Sequence, residues 1–256
     1  MLLRLIRSVV ADLLRGRIVI AYTAFLFAAS FGLFNLGGDT SKGLIGLLSL
    51  VLVVVPLVSL VFATAHYYNS YEFIELLAAH PVPRATILLA QIAGVALALA
   101  VALLVGIGLP ILLYVGTLTG LTLAAVALVL STLFTGLAFL AAVVTRDKAR
   151  GIGAALLVWF YFALLHDGLT LYALFLLEDY PLEGISLGLL ALNPIDLARV
   201  LVLLQMDVSA LMGYTGAMLK DLLGTRTGIV AAASVLALWL AAPLAGAVWI
   251  FRRKDL

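Results

Sequence analysis

The sequence predicts an all-α integral membrane protein with six transmembrane helices, and three observations predict this fold. The 256 residues are 65% hydrophobic and only 11% charged, whereas a soluble domain is about a quarter charged. The mean hydropathy is +1.26. The 61 residues from Ala85 to Thr145 contain no Asp, Glu, Lys, Arg or His, and such a run is long enough for two bilayer crossings of about twenty residues each.

Six apolar stretches exceed the length of about eighteen residues that a bilayer crossing requires. They are Ile18–Leu36, Leu44–Ala65, Ile87–Tyr114, Leu121–Val144, Ile152–Leu174 and Thr227–Phe251. We divide the third from the fourth at Gly116–Gly120, because closely placed glycines and hydroxyls favour a turn. Pro110 then lies near the end of the third span, where a kink is tolerated. Residues 1–256 are predicted to form a single six-span domain.

The basic residues predict the orientation. With the N-terminus inside, 11 of the 15 Lys and Arg residues lie in cytoplasmic segments and 4 in outer segments. This asymmetry predicts a multi-pass protein of the cell inner membrane with both termini cytoplasmic. A cleaved secretory signal is the alternative for the first span, since arginines precede it and it contains the small residues Ala28–Ser30. The long basic region and the long apolar stretch favour a retained span.

Residues 1–17 show the pattern of an amphipathic helix. Arg4, Arg7 and Arg15 fall on one stripe, separated by leucines, isoleucines and valines. A basic stripe opposite an apolar face suits a helix that lies in the cytoplasmic membrane interface. The alternative, which is compatible with this one, is that the arginines only set the topology.

The predicted cytoplasmic loop, residues 66–86, contains a short amphipathic helix. Ser70 is the predicted N-cap, and Pro81 ends the helix because a residue before proline avoids helical angles. Glu72 and Glu75 lie one turn apart among apolar side chains. We expect this helix to present a face to another protein, and a surface helix without a partner is the alternative. A paired-carboxylate catalytic site is disfavoured, since a short solvated loop offers no pocket to separate two pKa values.

Residues 178–226 form a long, mildly acidic outer segment. Asn193 reads as an N-cap, Pro194 as a first-turn proline and Asp196 as an acid that the helix dipole favours. The apolar run Leu197–Leu204 is too short to span the bilayer. We therefore predict helices that lie on or dip into the outer leaflet and bind a periplasmic partner; a loop without function is the alternative. The predicted docking residues are Asn193, Pro194, Asp196, Arg199, Asp207 and Tyr214.

The motif search excludes several kinds of chemistry. The sequence Gly-x-x-x-x-Gly-Lys-Ser/Thr is absent, so the chain cannot hold a nucleotide through a phosphate-binding loop. His-Glu-x-x-His and Gly-x-Ser-x-Gly are absent too. There are no cysteines, and the three histidines, at 66, 80 and 166, are too scattered to predict a metal site. A net charge of +2 leaves no basic face for nucleic acid.

Ionisable and soft side chains near the membrane are the remaining candidates for a substrate path. His166 and Asp167 interrupt the fifth apolar stretch, and ionisable residues at membrane depth often have a function; a position near the outer interface, where polar residues are ordinary, is the alternative. Met206 and Met212 carry thioethers that suit Cu(I), although methionines in an apolar chain more often serve packing.

The segment from Glu72 to Arg84 resembles the coupling-helix segment of permease subunits of type-two ABC exporters. In these, an acidic residue, paired leucines and a Pro-Val-x-Arg turn follow the second span. Two further stretches, Leu192–Arg199 and Met206–Ala217, are similar to the permeases of the transporters that mature nitrous oxide reductase. The general plan is also similar: an interfacial helix, six spans, and outer helices between spans five and six.

The resemblance implies a non-catalytic permease subunit that binds no cofactor itself. Its implied partners are a second copy of the permease, membrane lipids, a cytoplasmic NosF-like ATPase subunit carrying ATP and Mg²⁺, and a periplasmic β-helical NosD-like protein. The implied role is to supply copper or sulfur to the copper centres of the reductase. The expected ATPase-coupling residues are Glu72, Phe73, Glu75, Leu76, Leu77 and Arg84.

Two other functions stay open. A permease of the same family can move another cargo, such as a lipid, a peptide or a drug. A stand-alone intramembrane enzyme or secondary transporter would use His166 and Asp167, and would act without nucleotide.

Overall fold

A computed structural model describes residues 2–36, 38–79, 82–145, 147–180, 182–206 and 213–253. Within these residues the chain forms twelve α-helices and no β-strand. This confirms the all-α fold that the sequence predicts. The helices are α1 Leu2–Leu14, α2 Arg17–Leu36, α3 Thr40–Asn69, α4 Tyr71–Ala78, α5 Arg84–Leu103, α6 Leu109–Tyr114, α7 Leu118–Val144, α8 Lys148–Phe160, α9 His166–Leu176, α10 Leu182–Ala191, α11 Pro194–Met206 and α12 Gly213–Arg253. Two π-helical turns, Leu104–Gly108 and Tyr161–Leu165, join α5 to α6 and α8 to α9.

Six of the described helical segments are long and apolar enough to cross a bilayer, which confirms the predicted number of spans. They are α2, α3, α5 with α6, α7, α8 with α9, and α12. The helix of the second span runs to Asn69 rather than to Ala65. His66 therefore lies in the last turn of α3, not in the following loop as the sequence analysis had it, because the tyrosines and asparagine after it continue the helical hydrogen bonding.

The turn between the third and fourth spans lies where the glycines predicted it. Gly116 has φ +58°, a left-handed conformation that costs a residue with a Cβ atom about 1 kcal/mol or more. Thr117 caps α7, since its side-chain oxygen accepts a hydrogen bond from the backbone N–H of Gly120 at 3.5 Å. The two features end one span and start the next within a few residues.

The third span departs from regular α-helical geometry just before Pro110. In the π-helical turn, the backbone N–H of Leu109 donates to the carbonyl of Leu104, five residues earlier. Pro110 follows in the first turn of α6, where its missing N–H costs least. The irregular turn thus lies directly before Pro110, near the end of the span, where the sequence analysis tolerated a kink.

The described residues group into two compact units, and the first comprises Met1–Leu156 with Leu240–Leu256. In this unit α3 and α7 form the most extensive helix pair, and Ser59 and Ser131 share a buried hydroxyl–hydroxyl hydrogen bond of 2.9 Å between them. The predicted N-terminal helix is present as α1, which packs along α5. Val9 lies so close to Gly94 that an added Cβ there would come within 2.5 Å of Val9 Cγ1.

The second unit is Leu157–Trp239. It contains α9, α10, α11 and the first part of α12, and thus confirms the helices predicted between spans five and six. The axes of α10 and α11 are bent by 109°, as in a broken span or a re-entrant loop. The indole N–H of Trp239 donates to the carbonyl of Ala191 at 2.9 Å, and its ring meets Phe162 edge to face.

Gly224 interrupts α12 with φ 72° and ψ 175°. This backbone conformation is open essentially to glycine alone. The break separates the first turns of α12 from the long part that follows, and the predicted sixth span, Thr227–Phe251, lies entirely in that long part.

Candidate functional site

A buried polar cluster in the second unit begins at the start of α11. Asn193 Oδ1 accepts a hydrogen bond from the backbone N–H of Ile195 at 2.9 Å, which is the N-cap contact that the sequence predicts. Pro194 is the first helical residue and Asp196 lies in the first turn. The local sequence therefore both starts the helix and places a carboxylate at its positive end.

The nitrogen of the Asn193 side-chain amide is hydrogen-bonded to the π-helical turn at Tyr161–Leu165. In that turn the N–H of His166 bonds to the carbonyl of Tyr161, five residues back. As α-helical bonding resumes, one carbonyl is left out of the regular pattern. Asn193 Nδ2 donates to the carbonyl of Phe162 at 3.0 Å and to Asp196 Oδ2 at 2.8 Å, so the buried amide compensates for the irregular turn.

Charged and neutral donors surround Asp196. Arg199 Nη1 lies 3.0 Å from Asp196 Oδ1 and 3.4 Å from Asp167 Oδ2. His166 Nδ1 lies 3.4 Å from Asp196 Oδ2 and 3.4 Å from the Thr170 hydroxyl. One guanidinium thus serves two carboxylates.

Burial differs across the polar cluster, which we define as His166, Asp167, Asn193, Asp196 and Arg199. The side chains of His166 and Asp196 are 4% and 11% exposed, whereas those of Arg199 and Asp167 are 31% and 44% exposed. Asn193 is fully buried. The cluster therefore has a buried side formed by the amide and the imidazole, and an accessible side formed by one carboxylate and the guanidinium.

A cavity of about 130 Å³ adjoins the accessible side of the cluster. It is large enough for a few water molecules. Its polar lining residues are Asp167, Thr170, Asp196, Arg199, Tyr214 and Thr215. Ligand atoms of His166, Asp167 and Asp196 lie within 4.8 Å of one another, but the Arg199 guanidinium already supplies positive charge to both carboxylates. The arrangement is suited to hold water or a small polar solute.

The structure joins residues that the sequence analysis had assigned to two different roles. His166 and Asp167 were expected on a substrate path, and Asn193, Asp196 and Arg199 at a docking surface. Asn193, Pro194 and Asp196 are buried, because they start a helix inside the unit, so among the described docking residues only Arg199 and the 46%-exposed Tyr214 reach the surface. Both roles stay predictions.

Of three further candidate residues, Met206, Asp207 and Met212, the structure describes only the first. Met206 is the half-buried last residue of α11, whereas Asp207 and Met212 lie outside the described residues. Thr170 and Thr215, which line the cavity, are not among the residues that the sequence predicts. Thr170 could have been found, because it follows His166 by four residues on one helix and therefore lies on the same face.

The predicted coupling helix is present as α4, which packs against α3 and α5. Ile74 is fully buried and anchors it. Ser70 is the N-cap residue, but its hydroxyl makes no capping hydrogen bond, because its backbone is not extended as an N-cap requires. Pro81, the predicted stop, lies outside the described residues.

The face of α4 opposite Ile74 is mixed acidic and apolar. It carries two carboxylates and two large apolar groups, and the exposed side chains are Glu72, Phe73, Glu75 and Leu76. Leu77 is half-buried, and Arg84 is exposed at the start of α5. The ATPase-coupling role of these residues stays a prediction.

The connection between α7 and α8 is bonded to the end of α3, next to α4. Lys148 Nζ donates to Asn69 Oδ1 at 2.8 Å. The Tyr68 hydroxyl is hydrogen-bonded to the hydroxyl of Thr145, and Gly151 leaves room for the Tyr68 ring. The connection that leads into α8 is therefore fixed to the end of α3, the helix that precedes α4.

Comparison with known proteins shows the family to which the chain belongs. Residues 73–256 match the model of the ABC-2 family transporter proteins. The chain is 30% identical over 272 aligned positions to a "Probable ABC transporter permease protein NosY" of Pseudomonas aeruginosa, covering 98% of this chain and 97% of the relative. A protein of the same description from Stutzerimonas stutzeri is 30% identical, with 97% and 96% of the two chains covered. The family match over most of the length, on six apolar helices, shows that this chain is a multi-pass membrane protein of the ABC-2 transporter family.

Proposed function

We propose that this chain is the permease subunit of an ABC transporter that couples ATP hydrolysis on a separate ATPase subunit to a periplasmic partner. The process it serves is the maturation of the copper sites of nitrous oxide reductase. ATP and Mg²⁺ bind the partner ATPase, because this chain has no phosphate-binding loop. The NosY relatives, which the chain matches along nearly its whole length, support this assignment.

The exposed face of α4 is the observation that carries the proposal. Glu72 and Glu75 project from a short helix that Ile74 fixes to the bundle. Phe73 and Leu76 add apolar surface of the kind that fills a pocket on a partner protein. A short rigid element held between two spans is a means of passing a domain movement into the membrane.

The distribution of basic residues supports a cytoplasmic position for α4 and a periplasmic position for α10 and α11. In this orientation the second unit is the part of the chain available to a β-helical periplasmic protein. Two copies of the permease and two ATPase subunits complete the proposed assembly.

Reversal of the charge on α4 tests the coupling role. The double variant Glu72→Lys/Glu75→Lys puts two cations where the ATPase is expected to meet two anions. We expect the tagged variant to lose the ATPase on copurification in mild detergent. Glu178→Lys/Asp179→Lys, at two exposed positions beyond α9, carries the same charge change and is the matched control. Retention of the ATPase by the α4 variant at the control's level would contradict the proposal.

The polar cluster favours a second candidate function, in which the chain itself moves a small solute or proton. Its observation is the cavity beside Asp167, Asp196 and Arg199, since charged residues inside a membrane segment often mark a solute path. This function predicts transport by the purified chain in vesicles without ATPase or nucleotide, and its loss in His166→Ala while the complex still assembles. Dependence of all activity on the ATPase would exclude it.

A further inference from the structure

An apolar groove of about 640 Å³ lies between α2 and α3 in the first unit. Its volume is within the range of about 300–1,000 Å³ found for ligand pockets. One wall contains Phe25, Ala29 and Leu33 of α2, and the other contains Gly46 and Leu50 of α3. These positions recur every three or four residues, so each helix contributes one face to the groove.

Gly32 opens the groove on its α2 side. Gly46 lies on the α3 wall, where an added Cβ would come within 3.0 Å of Leu33 Cδ2, so Leu33 packs against that glycine. A Cβ atom added to Gly32 would have no heavy atom within 4 Å. The groove is therefore open at Gly32, where none of the described side chains fills it.

Among the described residues that line the groove, Lys42 is the only charged one. It lies in the first turn of α3 and lines the same groove as Leu36, the last residue of α2, so the charge lies where the two spans end. From Lys42 to Leu50 the helix rises about 12 Å, at about 1.5 Å per residue. A cation at the mouth and an apolar floor running into the membrane match the two parts of a lipid.

We propose that this groove binds a membrane phospholipid, with one acyl chain against the α2 and α3 walls and the phosphate beside Lys42. The ammonium group reaches the headgroup region while its methylenes cover the mouth of the groove. The acyl chain occupies the space that Gly32 leaves open. This site is separate from α4 and from the polar cluster.

Native mass spectrometry of the full-length chain, with any ATPase that copurifies, tests the site. The delipidated protein is titrated with dioleoylphosphatidylglycerol, and with dioleoylglycerol as the same lipid without phosphate. We expect one phosphatidylglycerol per chain to bind more tightly than the rest and more tightly than dioleoylglycerol. Gly32→Leu fills the groove and is expected to weaken that binding at least roughly tenfold, because several methylenes lose their contacts. Lys42→Gln is expected to remove the preference for the phosphate, and Lys42→Arg to keep it.

Gly153→Leu is the matched control, because Gly153 is another helical glycine at which an added Cβ meets no atom within 4 Å. It should bind the lipid like the unchanged protein. Equal binding by Gly32→Leu and Gly153→Leu would overturn the proposal. So would loss of a permease dimer in Gly32→Leu without any change in lipid binding, since a second copy of the chain would then be the occupant.

Discussion

A single amide, Asn193, stabilises three structural features of the second unit. It caps α11 through Ile195, supplies a donor to the Phe162 carbonyl, and donates to Asp196. A buried group with every hydrogen bond made rigidifies its surroundings, and the same group costs much when one partner is removed. A substitution of Asn193 is therefore expected to lower the stability of the second unit.

Asn193→Ala is predicted to lower stability by at least about 1–2 kcal/mol, because it removes the cap and leaves a buried carbonyl without its donor. Asn193→Asp keeps the cap but places a third carboxylate against Asp196, and it should be destabilised too. Thermal unfolding in detergent measures both. Asn35→Ala, which removes an exposed amide bonded to Tyr114, is the control and should change stability by no more than about 0.5 kcal/mol.

Arg199 provides the cluster's positive charge, and Arg199→Gln is predicted to lower stability by about 1.5–3 kcal/mol. The partly exposed guanidinium keeps this below the loss of about 3–5 kcal/mol that follows the breaking of a fully buried pair. Adding Asp167→Asn should recover part of the loss, since only one carboxylate then needs a counter-charge. Unfolding of the two single variants and the double variant measures the coupling, and a double variant with simply additive losses would contradict it.

At the scale of the element, several spans deviate from regular α-helix at specific places. The π-helical turns before Pro110 and before His166 each shift the helix face that follows them. The second of these turns brings His166 toward α11. Asn193 Nδ2 donates a hydrogen bond to the Phe162 carbonyl of that turn. The 109° bend between α10 and α11 places the first turn of α11 inside the unit.

Gly224→Ala tests the break in α12. A Cβ atom is disfavoured at φ 72° and ψ 175°, so the variant is predicted to be destabilised by about 1–3 kcal/mol. Gly188→Ala in α10, where the added Cβ meets no atom within 4 Å, is the matched control and should be neutral or stabilising by up to about 1 kcal/mol. Comparable unfolding temperatures for the two variants would mean that the break at Gly224 is absent in solution.

At the scale of the whole molecule, the sequence predicts that both termini and α4 share one side of the membrane. The absence of cysteine makes this directly measurable with single variants Ser8→Cys, Glu72→Cys, Lys42→Cys and Glu178→Cys in intact cells. A membrane-impermeant maleimide is expected to label the last two and to reach the first two only after lysis. The unchanged protein is the unlabelled control, and labelling of Glu72→Cys in intact cells would contradict the orientation.

Features that depend on local sequence were predictable. Span number follows from hydrophobic length, and the turn at Gly116, the cap at Asn193 and the helix α4 follow from residue types a few positions apart. These agree with the structure because each is determined by contacts within one or two helical turns. Ser70 is an exception within that set: its position was predicted correctly but its hydroxyl does not cap, since the preceding helix continues up to it.

The polar cluster could not be read from one-dimensional patterns. Asp167 and Arg199 are 32 residues apart in the chain, and no motif relates them. Their meeting depends on a π-helical turn in one segment and a sharp bend between two others. The amino-acid sequence by itself determined that this protein crosses a membrane six times, with a short amphipathic helix after the second span. The reason is that the length of an apolar run decides whether it can cross the bilayer, and this length is a local property of the sequence. Only the tertiary structure decided that His166, Asp167, Asn193, Asp196 and Arg199 form one site, because charges are brought together by the packing of helices distant in the chain.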